Sequence, residues 1–414
     1  MYAVAISVLI AIALASLILF SGFSSIEIKQ LLLTDKVNDN STSGLALLMS
    51  DQSLIATGDS RTVDLYDEGN DSVLLMKHTW GVFDLLLSKA FTKGYSRTQI
   101  GLCGSGFDSL TAFSLYLADA GKSLSLCGRT EINGHCYLPA AGLKRGYIEG
   151  ESFAGNNLIN GVMDTSQSEV PAIDKKLLDQ IRLKFSGNYF QIGDSVINAD
   201  EQGINDTLFN SFEKKTIILN SKGKLNLSDV NYAGNVIIVS SESIHVSSSS
   251  VLQEVLLFAP KIYVEEDFSG SIQAFASDSL WVGKGCRLSY PSVIGIVRTS
   301  SSPQNVYALI QADAEISGII LACQEGKDLK NSVQVTIEKD VKLTGQLYST
   351  GLIDLRGTVH GMVICGGFIL NTASSVYQNM LLDAIIDISK LPGSFSGIPL
   401  EDKRYSKRIV KWLQ

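Results

Sequence analysis

The sequence predicts a mainly β protein: an N-terminal transmembrane helix, a small α+β region, then an interrupted parallel β-helix (a solenoid) with a helical insertion. Three observations carry that expectation. Ile244-His245-Val246, Ile262-Tyr263-Val264 and Leu280-Trp281-Val282 repeat one apolar-x-apolar phrase at 18-residue intervals, and Val239, Leu257, Phe275 and Val293 keep the same period. A second phrase, apolar-x-Gly-x-apolar, recurs around Gly134, Gly161, Gly318, Gly345 and Gly361. Finally, no charged side chain precedes Glu27. Short β-branched and aromatic runs read as strands. Units that cannot bury an apolar face alone stack into a solenoid.

The elements follow in order. Residues 1–23 are mostly Ala, Val, Ile and Leu, long enough to span a bilayer, without the basic n-region of a cleaved signal. Residues 24–100 read as an α+β stalk: a helical continuation to 36, a polar break at 38–43, and a short apolar segment at 44–49. A hairpin follows, with Val63-Asp64-Leu65-Tyr66 and Val73-Leu74-Leu75-Met76 around a turn at Glu68-Gly69-Asn70-Asp71. Residues 101–165 are the first coils, entered by a tight turn at Gly101-Leu102-Cys103-Gly104-Ser105-Gly106. That phrase lacks the Lys-Ser/Thr of a phosphate-binding loop. Residues 166–213 form the insertion, with Leu177, Leu178 and Ile181 on one helix face. Residues 214–390 are the main coils, and 391–414 a basic tail.

The chain has 414 residues, 45% hydrophobic and 18% charged, which fits a large buried core. A net charge of −8 leaves no basic face for nucleic acid. The one basic cluster, Lys403, Arg404, Lys407, Arg408 and Lys411, reads as a solvated or anchoring tail; the other reading is a docking surface for an acidic partner or lipid headgroups. The six cysteines show no CxxC spacing and read as core residues, one Cys127–Cys136 disulfide being the alternative. No metal and no cofactor is expected. The solenoid's acidic residues (Glu265, Glu266, Asp267, Asp278, Asp313, Glu315, Glu338 and Asp340) read as turn residues rather than stacked catalytic carboxylates, since Lys284 follows Glu266 by one period. His135 and His360 flank repeat glycines, which assigns them comparable corners of distant coils.

The phrase from Leu343 to Ser349 (Leu-Thr-Gly-Gln-Leu-Tyr-Ser), with Leu355-Arg356-Gly357-Thr358-Val359-His360-Gly361, resembles the repeats of bactofilins, polymer-forming bacterial cytoskeletal β-helices. The whole layout, and residues 114–138 in particular, is similar to uncharacterised single-pass bacterial envelope proteins. A long apolar helix ahead of a small α+β region is also similar in plan to pilins and pseudopilins. Their membrane-embedded glutamate has no counterpart in the first 26 residues.

The expected function is therefore a non-enzymatic structural or assembly protein of a bacterial envelope. It would be anchored once in the inner membrane, with its bulk on the periplasmic side. Stacked coils would offer a surface to protein partners or to copies of the same chain, beside a pilus-like or secretion machine. Residues 385–388 and the tail after Pro392 are expected to cap the last coil. The alternative is a carbohydrate-binding or carbohydrate-cleaving β-helix. Tyr263 and Trp281 then form an outward aromatic strip, because each stands between two inward apolar residues.

Overall fold

A computed structural model describes residues 2–50, 54–66, 69, 71–107, 112–185, 194–299, 301–324, 332–400 and 405–413. The protein is mainly β, 51% strand, with one long apolar N-terminal helix. It divides into two compact units, Met1–Thr79 with Asp84–Gly101, and Trp80–Phe83 with Leu102–Gln414.

In the first unit, helix α1 runs unbroken over Tyr2–Ser50. At 1.5 Å per residue it is about 73 Å long. The polar break expected at 38–43 does not occur. Ser41 and Thr42 turn their hydroxyls back onto the Asn38 carbonyl at 2.9 Å each, so the helix absorbs them. Val37, Asn40, Ser41, Gly44, Leu45 and Leu48 form one buried face, at the i, i+3/i+4 spacing of a helix against a core. That approach is close: a Cβ on Gly44 would stand 2.4 Å from Ser88 Oγ and 2.8 Å from Val73. Strands Ser60–Val63, Asp71–Trp80, Phe83–Thr92 and Tyr95–Gly106 follow one another in a sheet. The first two pair antiparallel, with Val63 opposite Val73, so a hairpin is present, although its first strand is Ser60–Val63 and not the expected Val63–Tyr66. Of its expected turn, Glu68 and Asn70 lie outside the described residues.

Asp71 fixes the helix to the sheet electrostatically. Its buried carboxylate lies 2.6 Å from Lys36 Nζ and accepts from Thr92 Oγ1. These bonds, that from Lys36 first, hold its carboxyl below the ordinary value. A depressed carboxylate stabilises the fold above its unfolded pKa of about 3.9, and that contribution is lost as pH falls through the lower folded value. Thermal melts should therefore show a loss of stability below about pH 4 that is weaker in Asp71→Asn. An equal acid dependence in both proteins would contradict this role.

The second unit is built from parallel pairings on three faces. On the first face, Leu257, Ala274, Ile294, Ile320, Leu347 and Val363 stand in successive register. On the second, Leu288, Ile316, Leu343, Val359, Ile386 and Ile132 do so. On the third, Leu225, Ile244, Ile262, Leu280, Ala308, Val335 and Ile353 do so. All are buried members of one apolar core. The sheet closes on itself. The sequence triplets at 244, 262 and 280 are in register as their spacing requires. The column Val239, Leu257, Phe275, Val293 is not: Val239 pairs with Phe258, Leu257 with Ala274, and Phe275 with Gly295. A register shift between Gln253 and Val255, with Glu254 in the left-handed region at φ 57°, displaces Leu257 to Ala274, and a second shift between Gly270 and Gln273 displaces Phe275 to Gly295.

The order of strand pairing differs from sequence order. Leu115–Leu117 lies between Val363–Cys365 and Cys136–Leu138, and Met163–Thr165 pairs beyond Cys136–Leu138. Glu131–Asn133 pairs with Ile385–Asp387, and Leu124–Cys127 with Met380–Leu382. Strands early in this unit thus pair beyond its late ones. Ile385–Asp387 is an internal rung and not the cap that was expected.

The chain then returns along the outside of the first face. Gln167 N donates to Tyr116 Oη at 2.9 Å, Tyr348 Oη donates to Pro171 O at 2.9 Å, and Phe185 meets Phe258 edge-on at 5.7 Å. Tyr116, Ile364, Tyr348, Leu321, Gly295, Phe275 and Phe258 are one outward column, so the return is monotonic. From Asp164 to Phe258 that column covers eight steps, about 38 Å at 4.8 Å each. Helix α2, Lys175–Phe185, matches the predicted insertion helix, with Leu177 and Ile181 buried. Leu178 is half-buried.

The insertion ends earlier than expected. Ser195–Asn198 and Thr207–Asn210 already pair with Ile217–Ser221 and Asn231–Gly234, so the main parallel pairings begin near 195 and not at 214. Gly101–Gly106 lies in a strand instead of a turn, with Ser105 and Gly106 opposite Gly397 and Ser396. The C-terminal stretch is likewise structured, with Ser396–Gly397 and Ser406–Leu413 as strands.

Candidate functional site

The aromatic strip stands where alternation predicts. Ile262, Val264, Leu280 and Val282 are buried, and the rings of Tyr263 and Trp281 between them face outward, half-buried. Their centroids are 5.8 Å apart, tilted by 37°. Tyr307, in register with Ser279 and not with Trp281, meets Trp281 edge-on from the following strand at 6.2 Å and 84°. Trp281 Nε1 is buried and has no hydrogen-bond partner among the described residues. Rings on the strands to either side thus contact the indole, and its N–H is inaccessible to a sugar hydroxyl. Aromatic ladders of this geometry stabilise neighbouring rungs by about 0.5–1.5 kcal/mol beyond area burial.

Polar groups continue the column. His245, in register with Tyr263, places Nδ1 2.9 Å from Asn226 Oδ1. Glu265 Oε2 accepts from the Ser248 amide at 2.8 Å and the Ser247 hydroxyl at 2.7 Å. Those bonds, the amide first, hold its carboxyl below the ordinary range, so it is charged at neutral pH. Lys261 pairs with Asp278 at 3.5 Å. His245 Nε2 lies 4.0 Å from Glu265 Oε1.

The acidic turn residues have a conformational reason. Asp267, Asp313 and Asp340 adopt φ of 59°, 60° and 64°, the left-handed region that Asp tolerates better than most residues. Lys284–Asp313 and Lys342–Glu315, both 3.4 Å and mostly exposed, are surface pairs worth at most about 1 kcal/mol. Among the described residues no three His, Cys, Asp or Glu side chains gather to hold a metal ion. His135 Nε2 lies 2.8 Å from Asp164. It follows Gly134, whereas His360 precedes Gly361 and belongs to another column.

Of the basic cluster, Lys403 and Arg404 lie outside the described residues. Arg408 donates to Gly393 O at 2.6 Å and packs over Gly106, and Lys411 pairs with Glu254. Lys407 is half-buried in the same strand. These three cations are built into a strand, which corrects the expectation of a solvated tail. No family model, no curated protein and no solved structure matches the chain.

All six cysteines are free and buried, Cys127 and Cys136 included, so the alternative disulfide is not formed. The two belong to different faces of the stack. Burial pushes the thiols of Cys136 and Cys323 up to about 12 and that of Cys286 to about 11. Since the thiolate is the reactive form, a maleimide or disulfide reagent should label no cysteine of the native protein at neutral pH and six after unfolding. Rapid native labelling of any one would contradict that burial.

The remaining surface of consequence is the first part of α1. From Tyr2 to Leu32 its large apolar side chains are exposed, Phe20 at 74% and Leu32 at 63%. The helix is long and apolar enough to cross a membrane.

Proposed function

We propose that the chain is a non-enzymatic, single-pass membrane protein of a bacterial envelope, anchored in the inner membrane with its bulk on the periplasmic side. Its parallel coils wind as a β-helix, and the stack is offered to protein partners or to further copies of the chain. The observation that carries this reading is the division of α1: the same helix has an apolar exposed half and, from Val37, a half packed on a sheet. Apolar side chains along about 45 Å of helix have no stable place in water, and a bilayer core takes about 30 Å of them. The winding is supported by three-face parallel register, and by the resemblance of residues 343–361 to bactofilin repeats. The plan of a half-packed helix beside an antiparallel hairpin supports a place near a pilus-like or secretion machine. The edge-on contact of Tyr307 with Trp281 and the buried indole N–H favour the structural reading over the carbohydrate one.

Cross-linking in intact membranes, detergent solubilisation and mass spectrometry of what co-purifies test the proposal. Envelope-assembly subunits or a ladder of self-cross-linked copies are expected. Recovery of a monomer with bound glycan and a measurable glycosidic activity would overturn it.

A further inference from the structure

We propose that Asn160, ahead of Gly161, is a site of spontaneous deamidation that alters the outermost coil. The chain contains two Asn-Gly pairs, Asn133-Gly134 and Asn160-Gly161, and they occupy one position on consecutive coils, joined by a parallel bridge between Asn133 and Asn160. In this reaction the backbone nitrogen following asparagine attacks the side-chain carbonyl carbon. A new C–N bond closes a succinimide, the carboxamide C–N bond breaks, and ammonia leaves. Water then opens the ring at either carbonyl, giving aspartate or isoaspartate, so one water is consumed and one ammonia released. The attack requires a free backbone nitrogen next to a reachable side chain, and glycine hinders it least.

The two pairs differ in how their backbone nitrogens are held. Gly134 N donates to Asn160 O at 2.9 Å, which ties the inner nucleophile into the ladder. Asn160 N donates to Ile132 O at 2.9 Å, so residue 160 directs both of its backbone groups inward along the stack. Strand alternation turns the Gly161 N–H the other way, onto the outer edge. Among the described residues no strand pairs on that edge: Met163–Thr165 has Cys136–Leu138 as its one ladder partner. Asn160 and Gly161 are exposed, whereas Asn133 and Gly134 are half-buried. Asn157 Nδ2 lies 3.4 Å from Asn160 Oδ1, where it polarises the carbonyl under attack.

The change has a defined structural consequence. Asn160 Nδ2 donates to Asn133 Oδ1 at 2.8 Å, Asn133 Nδ2 to Asp387 Oδ2 at 3.3 Å, and Asp387 Oδ1 accepts from Ser389 N and Oγ. Each amide thus donates down the stack to a terminal carboxylate. An aspartate at 160 has no proton to donate to Asn133 Oδ1. An isoaspartate also lengthens the backbone by one carbon and breaks the two ladder bonds of residue 160. Either product loosens the coil that ends the stack.

The test uses the full chain in detergent, held at mildly alkaline pH, with peptide mapping for aspartate and isoaspartate and an assay of released ammonia. Conversion at Asn160 should exceed that at Asn133 by about tenfold or more, because the inner site must first open locally. Asn160→Gln should remove the fast ammonia release while the melt is retained. In urea both sites should convert alike. Equal rates at the two sites in the folded protein would overturn the proposal. So would an unchanged Asn160 after a time in which the urea-unfolded chain has converted.

Discussion

Gly345→Ala should be among the most damaging substitutions in the chain, with an expected loss of about 2–6 kcal/mol from backbone strain and overpacking together. Gly345 adopts φ of 149°, and a Cβ there would stand 1.8 Å from the Gly318 carbonyl oxygen of the preceding coil. Gly318 and Gly361 hold φ of 149° and 154° in the same register, their Cβ positions 1.9 Å from Ser292 O and 1.8 Å from Gly345 O. Nothing can shift cheaply, because each obstructing atom is backbone held by its own ladder. The comparison is Gly393→Ala, where nothing lies within 4 Å and φ is not left-handed. That variant should melt within about 0.5 kcal/mol of the parent. Similar melts for the two variants would contradict the close stacking of the glycine column.

Leu115→Ala should cost about 2–5 kcal/mol, as for a fully buried leucine. The location of the damage is more informative than its size. Leu115 sits between Val363 and Cys136, where chain segments about 250 residues apart meet. Hydrogen exchange should show lost protection in 115–138 and at 358–365, with 236–264 little changed. Loss confined to 115–138 and its sequence neighbours would contradict the spliced order of the coils.

Much of this fold was legible in the residues. The triplets at 244, 262 and 280 gave correct register because their coils are equal in length. The apolar-x-Gly-x-apolar phrase marked Gly318, Gly345 and Gly361, since only glycine suits both that φ and a backbone carbonyl under 2 Å from a Cβ. Other features were not legible. The order of the coils follows from pairings such as Val363 with Leu115, and no local pattern encodes a contact that distant. The slip at Leu257 required the bulge at Glu254, a residue with no sequence mark of a left-handed conformation. The basic strand looked like a tail because Glu254, the partner of Lys411, is remote from the cluster in sequence. Tyr307 escaped notice because it pairs with Ser279 and lies off the column that runs from Trp281 to Leu309.

The outward strip was correctly placed by alternation, yet its chemistry depended on a ring that spacing did not reveal. Tyr263 and Trp281 alone suggest a platform; with Tyr307 edge-on to Trp281 they form a packed cluster. Exposed apolar side chains on α1, by contrast, were foreseeable from composition alone, and only the packing of Val37 to Leu48 needed the structure.

The central claim is attachment of a folded body through the first part of α1. Membrane fractionation with alkaline carbonate washing, applied to the full chain and to a chain lacking residues 2–23, tests it most directly. The full chain should remain in the washed membrane, while the shortened chain should appear in the soluble fraction with an unchanged near-ultraviolet spectrum and melt. A full chain that is soluble without detergent, or a shortened chain that stays in the washed membrane, would contradict the account.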